Sequence, residues 1–212
     1  MKRLCLLLWA AILCSALAYA AAAASAPTIV CFGDSITAGY GVDPGHSFPD
    51  YLQAALKARG YHYRILNEGI SGNTTKDGVN RVQQVLDAHP AVVIVEFGGN
   101  DGLRGIPITA TRDNLDTIVR SIQQGGSKVI LAGITLPPNY GQDYIHQFDA
   151  VFREVAKKYH AVLLPMLYAD IYNQPGAVQA DGIHPTAKGA RLIAAKLLPL
   201  LLPLLRKDAA AR

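Results

Sequence analysis

The chain has 212 residues, half of them apolar, with three cysteines and a formal charge of +4. That is enough for one good-sized core, and no break in composition separates two domains, so a single domain is expected. So small a basic excess argues against nucleic acid as the main partner.

The chain opens on the basic Met1-Lys2-Arg3, an apolar stretch from Leu4 to Ala18 and small residues from Ala20 to Ala26. Residues 1–26 therefore read as a secretory signal peptide cut between 20 and 26, and residues 27–212 as one exported, periplasmic or secreted domain. The apolar stretch is too short for a comfortable bilayer span, so no stable membrane anchor is expected after processing; an uncleaved anchor is the alternative. Leu13 is bulky, which makes Cys14 a poor site for lipid attachment. Processing removes Lys2 and Arg3, lowering the formal charge to +2, and also Cys5 and Cys14. Cys31 is then alone on an apolar strand, where a buried, inert thiol and no internal disulfide are expected.

Strand-like apolar runs alternate with amphipathic segments of helix length. The strands expected are Thr28 to Phe32, Tyr63 to Asn67, Ala91 to Phe97, Lys128 to Ile134 and Ala161 to Leu164. The run Ala91-Val92-Val93-Ile94-Val95 is apolar without alternation, the pattern of a central strand covered on both faces. Ser47 with Asp50, and Thr74 with Asp77, have the spacing of capping boxes and start two helices; Gly60 ends the first. Further helices are expected over about Thr111 to Gln123, Tyr144 to Tyr159 and Ala187 to Leu202, the last interrupted by its prolines. Right-handed crossovers then give a three-layer α/β/α sandwich on a five-stranded parallel sheet, with ligands at the carboxyl ends of the strands.

Four polar segments fall at or just beyond those strand ends. Ser35 lies in the glycine-rich turn Gly33-Asp34-Ser35-Ile36-Thr37-Ala38-Gly39-Tyr40-Gly41, and Ser71-Gly72-Asn73 follows the second strand. Gly98-Gly99-Asn100-Asp101 follows the third, and Asp181-Gly182-Ile183-His184-Pro185 precedes the last helix, which Thr186 caps. An ester hydrolase needs a nucleophile, a base oriented by a carboxylate, and donors aimed at an oxyanion. Ser35 is the candidate nucleophile, His184 its base and Asp181 the orienting carboxylate. The candidate oxyanion donors are the N–H groups of Ser35 and Gly72 and the amide of Asn100. Gly72 has no Cβ to hinder an acyl group, and Asn100 donates without charge.

Competing readings remain. Gly69-Ile70-Ser71-Gly72-Asn73 nearly spells a nucleophile elbow, but Asn73 stands where glycine is expected, which ranks Ser71 below Ser35. Asp34, Asp101, Asp181 and His184 could be gathered round a metal, yet no metalloprotease helix motif or calcium loop accompanies them, and no metal or cofactor is expected. The glycine-rich turn lacks the dinucleotide fingerprint and the P-loop lysine. His46, His62, His89, His146 and His160 lie on polar stretches and are expected in solvent.

The four segments, in this order and spread over the mature chain, resemble the SGNH (GDSL) hydrolase family. The resemblance implies a flavodoxin-like fold, with Ser35, Asp181 and His184 as the triad and the Ser35 amide, Gly72 and Asn100 as oxyanion donors. Gly98 to Gly105 and Leu136-Pro137-Pro138-Asn139-Tyr140-Gly141 are similar to a periplasmic branch described as thioesterases, arylesterases and lysophospholipases. That implies a small-molecule acyl ester or thioester substrate, and a mobile loop bordering the acyl site at Gly102, Leu103, Arg104, Gly105, Ile106 and Pro107. A monomer is expected. A carbohydrate O-acetylesterase of the same family and a non-catalytic binding module on this scaffold are the alternatives.

Overall fold

The computed structural model describes residues 26–207 of the chain. The signal-peptide reading lies outside the described residues but for Ala26, as do residues 208–212.

Five strands form one parallel sheet: β1 (Thr28–Gly33), β2 (Arg64–Gly69), β3 (Val92–Glu96), β4 (Lys128–Ala132) and β5 (Val162–Leu164). Their order is β2-β1-β3-β4-β5. β1 and β3 pair over Ile29 to Gly33 with Val92 to Glu96 at the sheet's centre, and both are buried throughout. Their apolar runs show no alternation because helices cover both faces. On one face lie α2 (Phe48–Ala58) and α7 (Ala187–Leu201), packed on each other. On the other, α5 (Ile108–Gln124) packs between α3 (Thr75–Asp87) and α6 (Gln142–Lys158). The result is the expected three-layer sandwich.

The helix starts follow the local chemistry of the chain. Ser47 and Asp50, and Thr74 and Asp77, form reciprocal capping boxes. Thr186 caps α7 by accepting from the Gly189 N–H at 3.3 Å. Elsewhere the boundaries move: β2 runs on to Gly69, β4 stops at Ala132, and α5 begins at Ile108. Two short helices were not expected, α1 (Ser35–Ala38) and α4 (Gly99–Leu103). Pro199 lies inside α7 rather than interrupting it, two residues before the helix ends at Leu201 and a 3₁₀ turn, Leu202–Leu204, takes over. A proline so near a helix end removes one hydrogen bond and leaves the earlier turns intact. Among the described residues no helix is long and apolar enough to cross a membrane.

In this strand order the chain runs from β1 outward to β2, then returns past β1 to β3 and continues to the other edge. The crossovers therefore diverge at the carboxyl ends of β1 and β3, where a crevice opens. Ser35 comes just past the end of β1 at Gly33 and Asn100 one short turn past the end of β3 at Glu96, so both candidate segments meet there.

Candidate active site

Ser35 occupies the first position of α1, and the helix exists because of its neighbours. Asp34 caps it, accepting the Ile36 N–H at 3.0 Å, and Gly39, at φ +83°, ends it. Gly33 must be glycine: a Cβ there would lie 2.1 Å from Thr37 Oγ1 and 2.5 Å from the Glu96 carbonyl. That tightness turns the chain from strand to helix within two residues and leaves Ser35 buried, 8% exposed.

His184 Nε2 lies 2.9 Å from Ser35 Oγ, and His184 Nδ1 lies 2.7 Å from Asp181 Oδ2. Asp181 Oδ1 also accepts the N–H groups of Ile183 (2.9 Å) and His184 (3.0 Å). Burial is the largest single influence on the Asp181 carboxyl and raises its pKa, but the bonds from the imidazole and the two amides together outweigh it and hold the pKa down at about 2. An ionised carboxylate only accepts, so Nδ1 carries a proton and Nε2 keeps its lone pair for the seryl hydroxyl. A hydroxyl in such a line can pass its proton to the imidazole as its oxygen attacks.

Asn100 lies in the first turn of α4. Its Nδ2 donates to Asp34 Oδ2 at 3.1 Å and to the Asn73 carbonyl at 2.9 Å, which ties together the segments after β1, β2 and β3. Both of its amide protons are engaged, so an oxyanion would have to displace one partner. Gly72 sits at φ +82°, and its carbonyl accepts from Arg104 Nη2 at 2.9 Å. Gly102 and Leu103 belong to α4 rather than to the expected loop. Gly102 is packed on Leu136 and Leu103 lines an apolar pocket, which shortens the loop to residues 104–107.

That pocket begins at Ile36 and Gly99 and is walled by Leu103, Ile134, Tyr168 and Ile183. Across Leu136, Pro137 and Tyr172 it adjoins a cavity of about 360 Å³ that Pro138 and Met166 close.

Several residues that shape the site escaped the sequence reading. Glu96, wholly buried at the end of β3, accepts from Thr37 Oγ1 at 2.7 Å and from the Asp34 N–H at 3.4 Å; its other oxygen has no hydrogen-bond partner among the described residues. Burial and the nearby Asp34 charge push its carboxyl well above the usual range, and burial pushes that of Asp34 up to about 6. An acid closing the otherwise apolar run Val92-Val93-Ile94-Val95 was the available signal. Arg81 donates to the Gly33 carbonyl and to Asn73 Oδ1, both at 2.8 Å, and lies over the Phe32 ring. The Tyr40 ring packs against the His184 ring, tilted by 43° with centroids 4.5 Å apart.

Other expectations meet the structure directly. Asp101 is buried and engaged by Thr75, so it braces the α3 start. Ser71 is exposed, and the His184 bond goes to Ser35. The five remaining histidines are exposed. Cys31 is fully buried, which raises its thiol pKa far above the ordinary value.

A parallel α/β sandwich with a serine, a histidine and an aspartate in hydrogen-bonded line at its switch point is the architecture of a hydrolase. The chain belongs to the GDSL-like lipase/acylhydrolase family, whose pattern it matches over residues 31–192, and it is accordingly an ester hydrolase. It is 39% identical to "Esterase TesA" of Pseudomonas aeruginosa, over 91% of this chain and 96% of that protein. It is 35% identical to "Thioesterase 1/protease 1/lysophospholipase L1" of Escherichia coli, over 88% of each. A crystal structure of TesA superposes with a TM-score of 0.81 at 39% identity, covering 84% of this chain and 99% of that one.

Proposed function

We propose that this protein is an exported, monomeric serine hydrolase that cleaves small acyl esters and thioesters, aryl esters and lysophospholipids among them, through an acyl-Ser35 intermediate. The observation that carries the reading is the unbroken line from Asp181 through His184 to Ser35, 2.7 Å and 2.9 Å in its two links, beside an apolar pocket.

Ser35 Oγ attacks the acyl carbonyl while His184 Nε2 takes its proton. The carbonyl oxygen becomes an oxyanion, held by the Ser35 and Gly72 N–H groups and the Asn100 amide. As the carbon–oxygen or carbon–sulfur bond breaks, His184 returns the proton to the departing alcohol or thiol. A water then gives a proton to His184 and attacks the acyl-enzyme, and the proton passes to Ser35 Oγ as the free acid leaves. Asp181, ionised over the working pH range, stabilises the imidazolium formed in each half. The chain's own groups supply each proton transfer, so the cycle calls for no cofactor.

The apolar pocket and the cavity beyond it suit the acyl chain. A buried methylene contributes about 0.8 kcal/mol, so kcat/KM for p-nitrophenyl esters is expected to rise roughly fourfold per added methylene until the groove is filled. A flat chain-length profile would remove the acyl role of this groove, and turnover of acetyl esters alone would point to carbohydrate deacetylation. Labelling by a fluorophosphonate tests the nucleophile: the wild type is expected to label at one site and Ser35→Ala not at all. Labelling lost in Ser71→Ala instead would transfer the role to Ser71.

A further inference from the structure

The loop that carries Asp181 and His184 is closed at its base by a bridge between Val178 and Pro185 and by the Thr186 N–H donating to the Ala177 carbonyl at 2.9 Å. Inside it, Gln179 reaches both ways. Its backbone N–H donates to the His184 carbonyl at 2.8 Å, and its Nε2 donates to the Pro185 carbonyl at 2.9 Å and to the Tyr40 carbonyl at 2.8 Å. The Tyr40 N–H in turn donates to the Ser35 carbonyl at 3.0 Å, while the Tyr40 ring packs at a tilt against the imidazole. Gly41 makes room for the clasp: a Cβ there would stand 2.4 Å from Gln179 Oε1.

Ser35 and His184 lie 149 positions apart in the chain. A single neutral hydrogen bond contributes too little net stability to set their geometry unaided. Moreover, that bond is gone once Ser35 is acylated, just when His184 must stay in place to activate water. The Gln179 bonds do not involve the reacting atoms and so persist through both halves. A carboxamide suits the task because it offers two N–H donors without charge. A lysine or arginine there would bring a cation toward the imidazolium and disfavour it.

We propose that Gln179 is a positioning residue for acyl transfer: its carboxamide clasps the turn after Ser35 to the loop of His184 and keeps the imidazole over the seryl oxygen throughout the cycle. This rests on the Ser35–His184 reading above.

Two variants test it. Gln179→Glu keeps the shape and removes the donors at neutral pH; Gln179→Leu removes all polarity. Both are expected to lower kcat for a p-nitrophenyl ester by about 10- to 100-fold, with KM within about twofold, and to slow fluorophosphonate labelling in proportion. In a His184→Ala background, where nothing remains to be positioned, neither change is expected to lower the residual turnover further. If Gln179→Leu does not fold, the isosteric Gln179→Glu carries the test. Full kcat in the Glu variant, or the same loss recurring in the His184→Ala background, overturns the clasp. If the wild type itself fails to label, the Ser35–His184 reading fails instead.

Discussion

Asn100 illustrates how a single side chain reconciles structure with chemistry. In the free protein its amide bridges Asp34 and the Asn73 carbonyl, so donation to an oxyanion trades the neutral Asn73 acceptor for a charged one. Hydrogen bonds to charged acceptors are roughly twice as strong as neutral ones, so the exchange is favourable in the transition state and gains little in the ground state. Asn100→Ala is therefore expected to lower kcat by 10²- to 10³-fold, about 2.7 to 4 kcal/mol, with KM changed much less, as steady-state kinetics would read. A rise in KM with kcat intact would mean that Asn100 only braces the loops. The Ser35, Asn100, Asp181 and His184 blocks were legible as a set because each combines a reactive side chain with turn residues at a strand end. Glu96, Gln179 and Tyr40 were not, because their roles consist of contacts with residues far along the chain.

At the scale of the element, local chemistry was the best guide. The two capping boxes formed as read because a cap links residues only three apart and needs nothing from the rest of the fold. The helices α1 and α4 were missed for the converse reason. Four or five residues with serine and glycine among them have no apolar period, and such short pieces are unstable without tertiary support. Asp34 and the packing of Gly102 on Leu136 provide that support. The cap on α3 also governs the loop before it, which carries Gly72 and Asn73. Thr74→Ala is expected to destabilise the protein by about 1 kcal/mol, seen as a lower urea midpoint at unchanged slope. No change in the midpoint would show that tertiary packing alone sets the α3 start.

Across the whole molecule, two acids are buried where β1 and β3 meet. The Asp34 carboxyl moves from its usual 3.8 up to about 6, and that of Glu96 well above its usual 4.5. Raised folded-state values mean that the native state holds protons the unfolded chain has already released. Stability from this pair is thus largest at low pH and falls as pH rises from about 4 through 6 and beyond. Asp181 acts in the opposite sense, contributing above its usual 3.8 and losing that contribution only as pH falls toward about 2. Glu96→Gln keeps an acceptor for Thr37 and removes one ionisation, so its melting temperature is expected to decline less than that of the wild type between pH 5 and pH 8. An equally steep decline in the variant would place the pH dependence elsewhere.

The sequence by itself determined what depends on neighbours along the chain: which runs are strands, where caps begin helices, which residues are candidates for acyl transfer, and that a parallel sheet presents those candidates at one rim. Tertiary structure alone decided which distant groups touch. Gln179 meets a carbonyl 139 residues away and Glu96 a hydroxyl 59 residues away, because the sheet sets β1 beside β3 and lays the His184 loop across their ends. Periodicity and capping are properties of short stretches, whereas such pairings come from the path of the whole backbone, and no local pattern encodes them.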